Sequence, residues 1–288
     1  MTVTLVADAG PEAGLGHLRR VGALGTALTD LGIATAIVRL ESGPSTPVDA
    51  AVAVVDSYRV RADDESIVRA RTVCAVDELG RDLAVALSVD PTPGATAAMG
   101  HRAGRALAGA EYVLVDPVWC APPTPVPGGP PRVLVTFGAT AAAEAALAVA
   151  AELVATCPEA SVAVAVGPHR SGTPAPAGVE LFATATGIDD AIRAATVVVC
   201  AGGVTMLEAC AAARPVVAVT VVPNQAAAVD ALDARGAVVG STIDAVAATA
   251  RALLVDEPRR DALAAAARAA IDGAGATRVA RAVAELVS

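Results

Sequence analysis

No lysine occurs among the 288 residues; the 21 basic side chains are all arginine, against 30 Asp and Glu, for a formal charge of −9. An acidic chain of this kind argues against a nucleic-acid binder, which normally shows a basic patch. Aromatics are scarce at 2%, and the hydrophobic fraction rests mainly on Ala and Val in short runs. None of these runs approaches the ~18 apolar residues of a membrane span. The opening MTVTLVADAG has no basic stretch followed by an apolar one, which reads as no signal peptide and a cytoplasmic setting. Cysteine is limited to Cys74, Cys120, Cys157, Cys200 and Cys210, an odd set without CxxC. That disfavours both a disulfide scaffold and a zinc site and predicts small buried residues in a reducing compartment. His17, His101 and His169 are too few and scattered for a metal cage; no metal or cofactor is expected.

What is present is alternation. Length suggests about two domains with enough chain to bury roughly 75% of the unfolded surface. Strands are predicted at residues 3–7, 35–40, 51–55 and 72–76, with a helix over 18–31. These strands are continuous apolar runs, as in parallel sheets covered on both faces, and their alternation with helices indicates an α/β fold. APPTPVPGGPP, residues 121–131, excludes helix and strand and reads as a stiff linker between a domain at 1–120 and another at 132–288. Beyond it, strands are predicted at 132–137, 161–166, 197–200, 216–221 and 237–239. Helices are predicted at 140–156, 204–213 and 224–234, and the tail from 244 is helical, broken at Gly273 and Gly275. The last helices are candidates to pack back on the first half. Two Rossmann-like halves would leave a cleft, with ligands outside the carboxyl ends of the strands.

Five stretches carry chemical meaning. Gly14 and Gly16 open the first helix, followed by His17 and Arg19; the glycines allow close backbone approach, and the helix N-terminus favours an anion. His17, with an unperturbed pKa near ~6.5, can serve as a general base or bind phosphate; a loop-capping role is the plain alternative. Phe137, Gly138 and Thr140 form a second strand–turn–helix step, whose helix is read as free of acid in its first turn. Cys200 to Ala209 is the strongest: Gly202, Gly203, Val204 and Thr205 begin a helix suited to a diphosphate. Glu208, set among Leu207, Ala209 and Cys210, can accept both ribose hydroxyls, and an acid among apolar residues needs a partner. Asn224 and Gln225 can bond a sugar or start a helix. Asp56 and Tyr58, candidate catalytic residues beside His17, and Asp77 beside Glu78 place polar groups at strand ends, where caps are the alternative. Asp63-Asp64-Glu65 reads as an exposed first helical turn and Asp189-Asp190 as a helix start; His101 and His169 read as solvated.

GLGHLRR, FGAT and CAGGVTMLEACAAARPVVAVTVVPNQ together resemble GT-B nucleotide-sugar enzymes. The nearest likeness is to the UDP-sugar hydrolases of pseudaminic acid biosynthesis and the related spore-coat polysaccharide proteins. VVDSY, VDELGRD and DGAGATRV extend it over most of the chain. The resemblance implies two Rossmann-like domains and metal-independent hydrolysis at the anomeric carbon, with His17 as base and UDP leaving. It further implies that Glu208 holds the ribose and that the Gly138 and Gly203 turns hold the diphosphate. It matches Asn224 and Gln225 to a pair near the sugar; Arg19 and Asp77 are further candidates on the sugar side, and Arg19 can also stabilise the departing diphosphate. A GT-B glycosyltransferase shares the nucleotide motif and is the alternative; a non-catalytic nucleotide-sugar binder is a second. The sequence departs from the resemblance at Ser88 to Thr92, which lacks Asn, and at Asp116, where Arg is usual. A monomer or weak dimer is expected.

Overall fold

The computed structural model describes residues 2–10, 13, 15–41, 47–97, 102–126, 128–138, 143–166, 174–183 and 188–287. Gly14, Thr140, His101 and His169 lie outside them. The chain divides into two units, Met1–Ala121 with Asp272–Ser288, and Pro122–Ile271.

The first unit runs β1 (Thr2–Asp8), α1 (Gly16–Asp30), β2 (Ala34–Leu40), β3 (Val48–Asp56), β4 (Val68–Val76), β5 (Leu87–Asp90) and β6 (Arg105–Ala108). All six strands are parallel, in the order β2-β1-β3-β4-β5-β6. Val and Ala fill the middle strands because both faces are covered; β2, at the edge, is mostly exposed. Residues 57–67 form turns, not the helix predicted to begin at Asp63. The Asp63 carboxylate accepts from the Ala84 amide, and Asp64 accepts from the amide and hydroxyl of Ser66. Short acids that bond nearby backbone in this way compete with a helix. The sheet face over these turns is packed by Val6, Val55, Val68, Leu83 and Val85.

The second unit holds β7 (Arg132–Thr136), α2 (Ala143–Thr156), β8 (Ser161–Val166), β9 (Val179–Ala183), α3 (Ile188–Ala194), β10 (Val197–Ala201), α4 (Val204–Ala211), β11 (Val216–Val219), α5 (Ala226–Asp233), β12 (Val239–Ser241), α6 (Val246–Val255) and α7 (Glu257–Ala270). Its sheet is again six parallel strands, ordered β12-β11-β10-β7-β8-β9. Val133, Val135, Val197, Val199 and Val217 face Leu153, Ala250 and Leu253 in the core. β11 stops two residues before its predicted end because the Gln225 side chain accepts from the Val221 and Val222 amides. The strand predicted at 237–239 lies later, at Val239–Ser241.

The chain returns to the first unit as α8 (Gly275–Val287). Val279 and Val283 pack with Leu24 and Leu28 of α1. The approach demands glycine: a Cβ on Gly275 would stand 2.1 Å from the Val113 carbonyl oxygen, and Gly273 has φ +82°.

Candidate active site

Each sheet has one place where the strand order reverses, between β1 and β3 and between β10 and β7. Ligands in open α/β sheets bind outside the carboxyl ends of strands at such points. The sequence motifs fall at both.

In the first unit, β1 and β3 pair with Ala7 opposite Asp56. The chain leaves β1 and enters α1, whose first turn has no acid and no side-chain cap. His17 and Arg20 sit three residues apart and therefore share a helix face, which turns toward the end of β3. His17 Nδ1 is 2.6 Å from Asp56 Oδ1. Arg20 grips the same carboxylate in a fork, Nε to Oδ2 at 2.7 Å and Nη2 to Oδ1 at 2.8 Å. Arg20 Nη2 also lies 3.0 Å from His17 Nδ1. The 2.6 Å contact with Asp56, an acceptor, calls for the imidazole proton on Nδ1, donated to that carboxylate; Arg20, only a donor, then makes no hydrogen bond to Nδ1 and spends its N–H groups on Asp56 and Glu78. The neutral ring then keeps its lone pair on Nε2.

All three residues are buried. Burial alone would raise the Asp56 carboxyl; the charge and hydrogen bonds of Arg20, helped by His17, instead hold it below the usual range. Burial would likewise lower Arg20, but Asp56 and Glu78 drive it well above its ordinary value. Arg20 Nη1 reaches Glu78 Oε2 at 2.9 Å, and the Tyr58 hydroxyl donates to the same oxygen at 2.5 Å. The Tyr58 ring meets the His17 ring in a T-shape, centroids 4.4 Å apart. The turn that presents Tyr58 is pinned by Asp8 at the end of β1, which accepts from the Ser57 hydroxyl at 2.7 Å and the Tyr58 amide at 2.9 Å.

Of the residues singled out in this unit, the structure brings His17, Asp56 and Tyr58 together. Arg19 is half-buried on α1, two residues from His17 and so on another face of the helix. Asp77 is buried and taken up by Arg81, whose Nε meets Oδ1 at 2.8 Å and whose amide meets Oδ2 at 2.6 Å. Its carboxylate thus anchors the turn after β4. Arg20, next to Arg19, is the residue not singled out from the sequence; Glu78 is named there only as a strand-end acid beside Asp77. The i, i+3 spacing of His17 and Arg20 on a predicted helix was the available signal for Arg20; the strand-end position was the signal for Glu78. Asp116 caps a short 3₁₀ turn by accepting from the Val118 amide at 2.9 Å.

In the second unit, β10 and β7 pair with Cys200 opposite Thr136. Phe137 is buried and Gly138, exposed, takes φ +92°, a conformation that glycine favours. The following helix carries Glu144 in its first turn, against the expectation of an acid-free start. After β10, Gly202 is packed so closely that a Cβ would fall 2.4 Å from Val229 Cγ2. Gly203 is the N-cap of α4, which has neither a side-chain cap nor an acid in its first turn, and Val204 and Thr205 open it. Glu208 is buried one turn on, beside Cys200, whose thiol is pushed well up by burial together with Cys210 and the Glu208 charge. Asn224 lies exposed on a 3₁₀ turn, Pro223–Gln225, while Gln225 spends its carbonyl on the turn's own amides.

Four of the cysteines are buried as expected, but Cys120 is exposed. Among the described residues no three His, Cys, Asp or Glu are grouped to hold a metal, and no helix is long and apolar enough to cross a membrane.

No family model and no curated protein matches the sequence. Solved structures do match over the whole chain. The glycotransferase of kitacinnamycin is 14% identical with TM-score 0.66, covering 99% of this chain and 98% of its own. The Streptomyces sp. SF2575 glycosyltransferase SsfS6, complexed with thymidine diphosphate, is 15% identical with TM-score 0.63, covering 99% of each chain. Acinetobacter baumannii MurG is 13% identical with TM-score 0.62, again over 99% of each. The chain has the GT-B fold of these glycosyltransferases.

Proposed function

We propose that the protein transfers a glycosyl group from a nucleoside-diphosphate sugar to a hydroxyl acceptor, with His17 as general base. The observation that carries this is the His17–Asp56 dyad at the switch point of the first sheet. The acceptor hydroxyl gives its proton to His17 Nε2 as its oxygen forms a bond to the anomeric carbon. The bond from that carbon to the diphosphate breaks, and the electron pair leaves with the nucleotide. Asp56 holds the ring in the required tautomer and offsets the charge of the imidazolium. A positioned base of this kind contributes about 10²–10⁴-fold.

The nucleotide belongs to the second unit in this reading. The uncapped start of α4, with Gly203, Val204 and Thr205, suits a diphosphate through backbone amides and the dipole. Gly202 and the Phe137-Gly138 turn lie at the same switch point. Glu208 is assigned to the ribose. Gly14, Gly16 and Thr140 are kept as further nucleotide contacts on the strand–turn–helix pattern of the sequence, and Arg19, Asp77, Asn224 and Gln225 as residues near the sugar. Asp77 and Gln225 have the weaker case, because their own turns already use them.

Transfer is preferred to the hydrolysis that the resemblance implied because structural neighbours spanning the whole chain are glycosyltransferases, one of them with thymidine diphosphate. Water replacing the acceptor would use the same dyad. Incubating the protein with UDP- and dTDP-sugars, EDTA present, with and without a panel of hydroxyl acceptors, separates the two. Acceptor-dependent nucleotide release supports transfer; equal release without acceptor makes the protein a hydrolase. Tight nucleotide binding with no release under any condition would leave only a binder.

A further inference from the structure

Resting on the reading of His17 as base, we infer that Arg20, Glu78 and Tyr58 close a circuit through Asp56 that fixes the orientation and tautomer of the His17 ring, with Arg20 as its hub. The circuit can be traced without a gap. His17 donates to Asp56 at 2.6 Å, Arg20 forks onto Asp56, and Arg20 continues to Glu78 at 2.9 Å. Tyr58 donates to Glu78 at 2.5 Å, and its ring returns to His17 with an interplanar angle of 79°. The members come from α1, from the end of β3 with the turn that follows it, and from the turn after β4, so three separate segments agree on one ring position.

Two features go beyond a simple buried ion pair. The first is shape. Flipping the imidazole would put a carbon where Nδ1 now meets Asp56, and the Tyr58 ring lies against it at 4.4 Å. The Tyr58 hydroxyl is in turn tied to Glu78, so the packing partner is itself held. The second is charge. At rest, one positive guanidinium faces two carboxylates, Asp56 and Glu78. When His17 accepts the acceptor's proton, two positive charges face two negative ones. The cluster therefore becomes balanced at the moment the reaction loads it, and Glu78, a fifth exposed, supplies the second negative charge. Without Glu78, Arg20 would neutralise Asp56 and leave nothing to offset the imidazolium. These are positioning residues: nothing here requires Arg20 or Glu78 to touch a substrate.

Arg20→Ala would leave two carboxylates without their cation and can fail to fold, so the test rests on Glu78→Gln and Tyr58→Phe in the full chain. Two quantities are followed, donor turnover and the His17 Nδ1–H proton in ¹H NMR of ¹⁵N-His-labelled protein, identified by its loss in His17→Gln. The expected result is a downfield, exchange-protected Nδ1–H in the parent that broadens or disappears in both variants. Their kcat falls about 10–100-fold, the cost of a misplaced group, while KM for the donor and the unfolding midpoint change little. Parent-like kcat and an intact Nδ1–H in both variants would overturn the circuit. If instead His17→Gln keeps full turnover while the Nδ1–H still responds to Glu78→Gln and Tyr58→Phe, the circuit stands and the base assignment fails.

Discussion

Asp56 is where local chemistry weighs most. Its folded carboxyl lies below the ordinary value of 3.8 because Arg20 and His17 outweigh its burial. A depressed folded pKa gives stability that is present above the unfolded value and is lost as pH falls through the folded one. The urea midpoint should therefore fall below about pH 4, and part of that dependence should vanish in Asp56→Asn. The same variant should lower kcat by about 10²-fold or more, since an amide can present its N–H to Nδ1 and favour the wrong tautomer. Unchanged turnover in Asp56→Asn would remove the dyad from the mechanism. Asp90 has the opposite sign. Burial, only partly offset by Thr92, raises its carboxyl, with Glu78 and Asp77 adding to the rise. A raised folded pKa means that stability present below the unfolded value is lost as pH rises through the folded one. Asp90→Asn, which can still accept from the Thr92 amide, should raise the thermal midpoint at pH 7 by about 1–2 °C. The gain should disappear near pH 3, where both side chains are neutral; a loss of stability at pH 7 would contradict the assignment.

Elements explain why certain glycines stand where they do. At Gly275 the obstacle is backbone, the Val113 carbonyl at 2.1 Å, which cannot rotate away as a side chain can. Gly275→Ala should cost about 3 kcal/mol and loosen α8 from α1, read as a lower unfolding midpoint and faster amide exchange in both helices. At Gly202 the obstacle is Val229 Cγ2 at 2.4 Å, with Gln225 next to it. Gly202→Ala should push the 223–225 turn away from the start of α4 and weaken nucleoside-diphosphate binding about tenfold by calorimetry. Parent-like affinity would show that this turn plays no part in holding the nucleotide. Strands rich in Val were legible because β-branched runs between turn residues have one sensible reading; β3, β8 and β10 are of this kind. β6, with the sequence RALA, reads as helix by propensity and is a strand only because β5 pairs with it, Leu87 opposite Arg105. The helix expected at Asp63 failed for the converse reason, since side-chain bonds to Ala84 and Ser66 satisfied the turn first. Candidate site residues were legible where one motif carries its own geometry, as at His17 and the Gly202-Gly203 step. Glu78 was visible only as a strand-end acid, because its ion-pair partner Arg20 lies 58 positions away and only the sheet order brings the two near.

For the whole molecule, the repeated feature is a parallel sheet whose strand order reverses once, with a helix beginning at the reversal. The first unit places an imidazole and its carboxylate there; the second places a glycine-led helix start without cap or acid. In the proposed reading the first unit supplies the base and the second the helix start that takes the diphosphate. The most direct measurement is nucleotide release from a nucleoside-diphosphate sugar in the presence of acceptor, parent against His17→Ala, with the fold of the variant checked by its unfolding midpoint. The account predicts a loss of about 10²–10⁴-fold in kcat with the donor still bound. A His17→Ala variant that released nucleotide at the parent rate would contradict it.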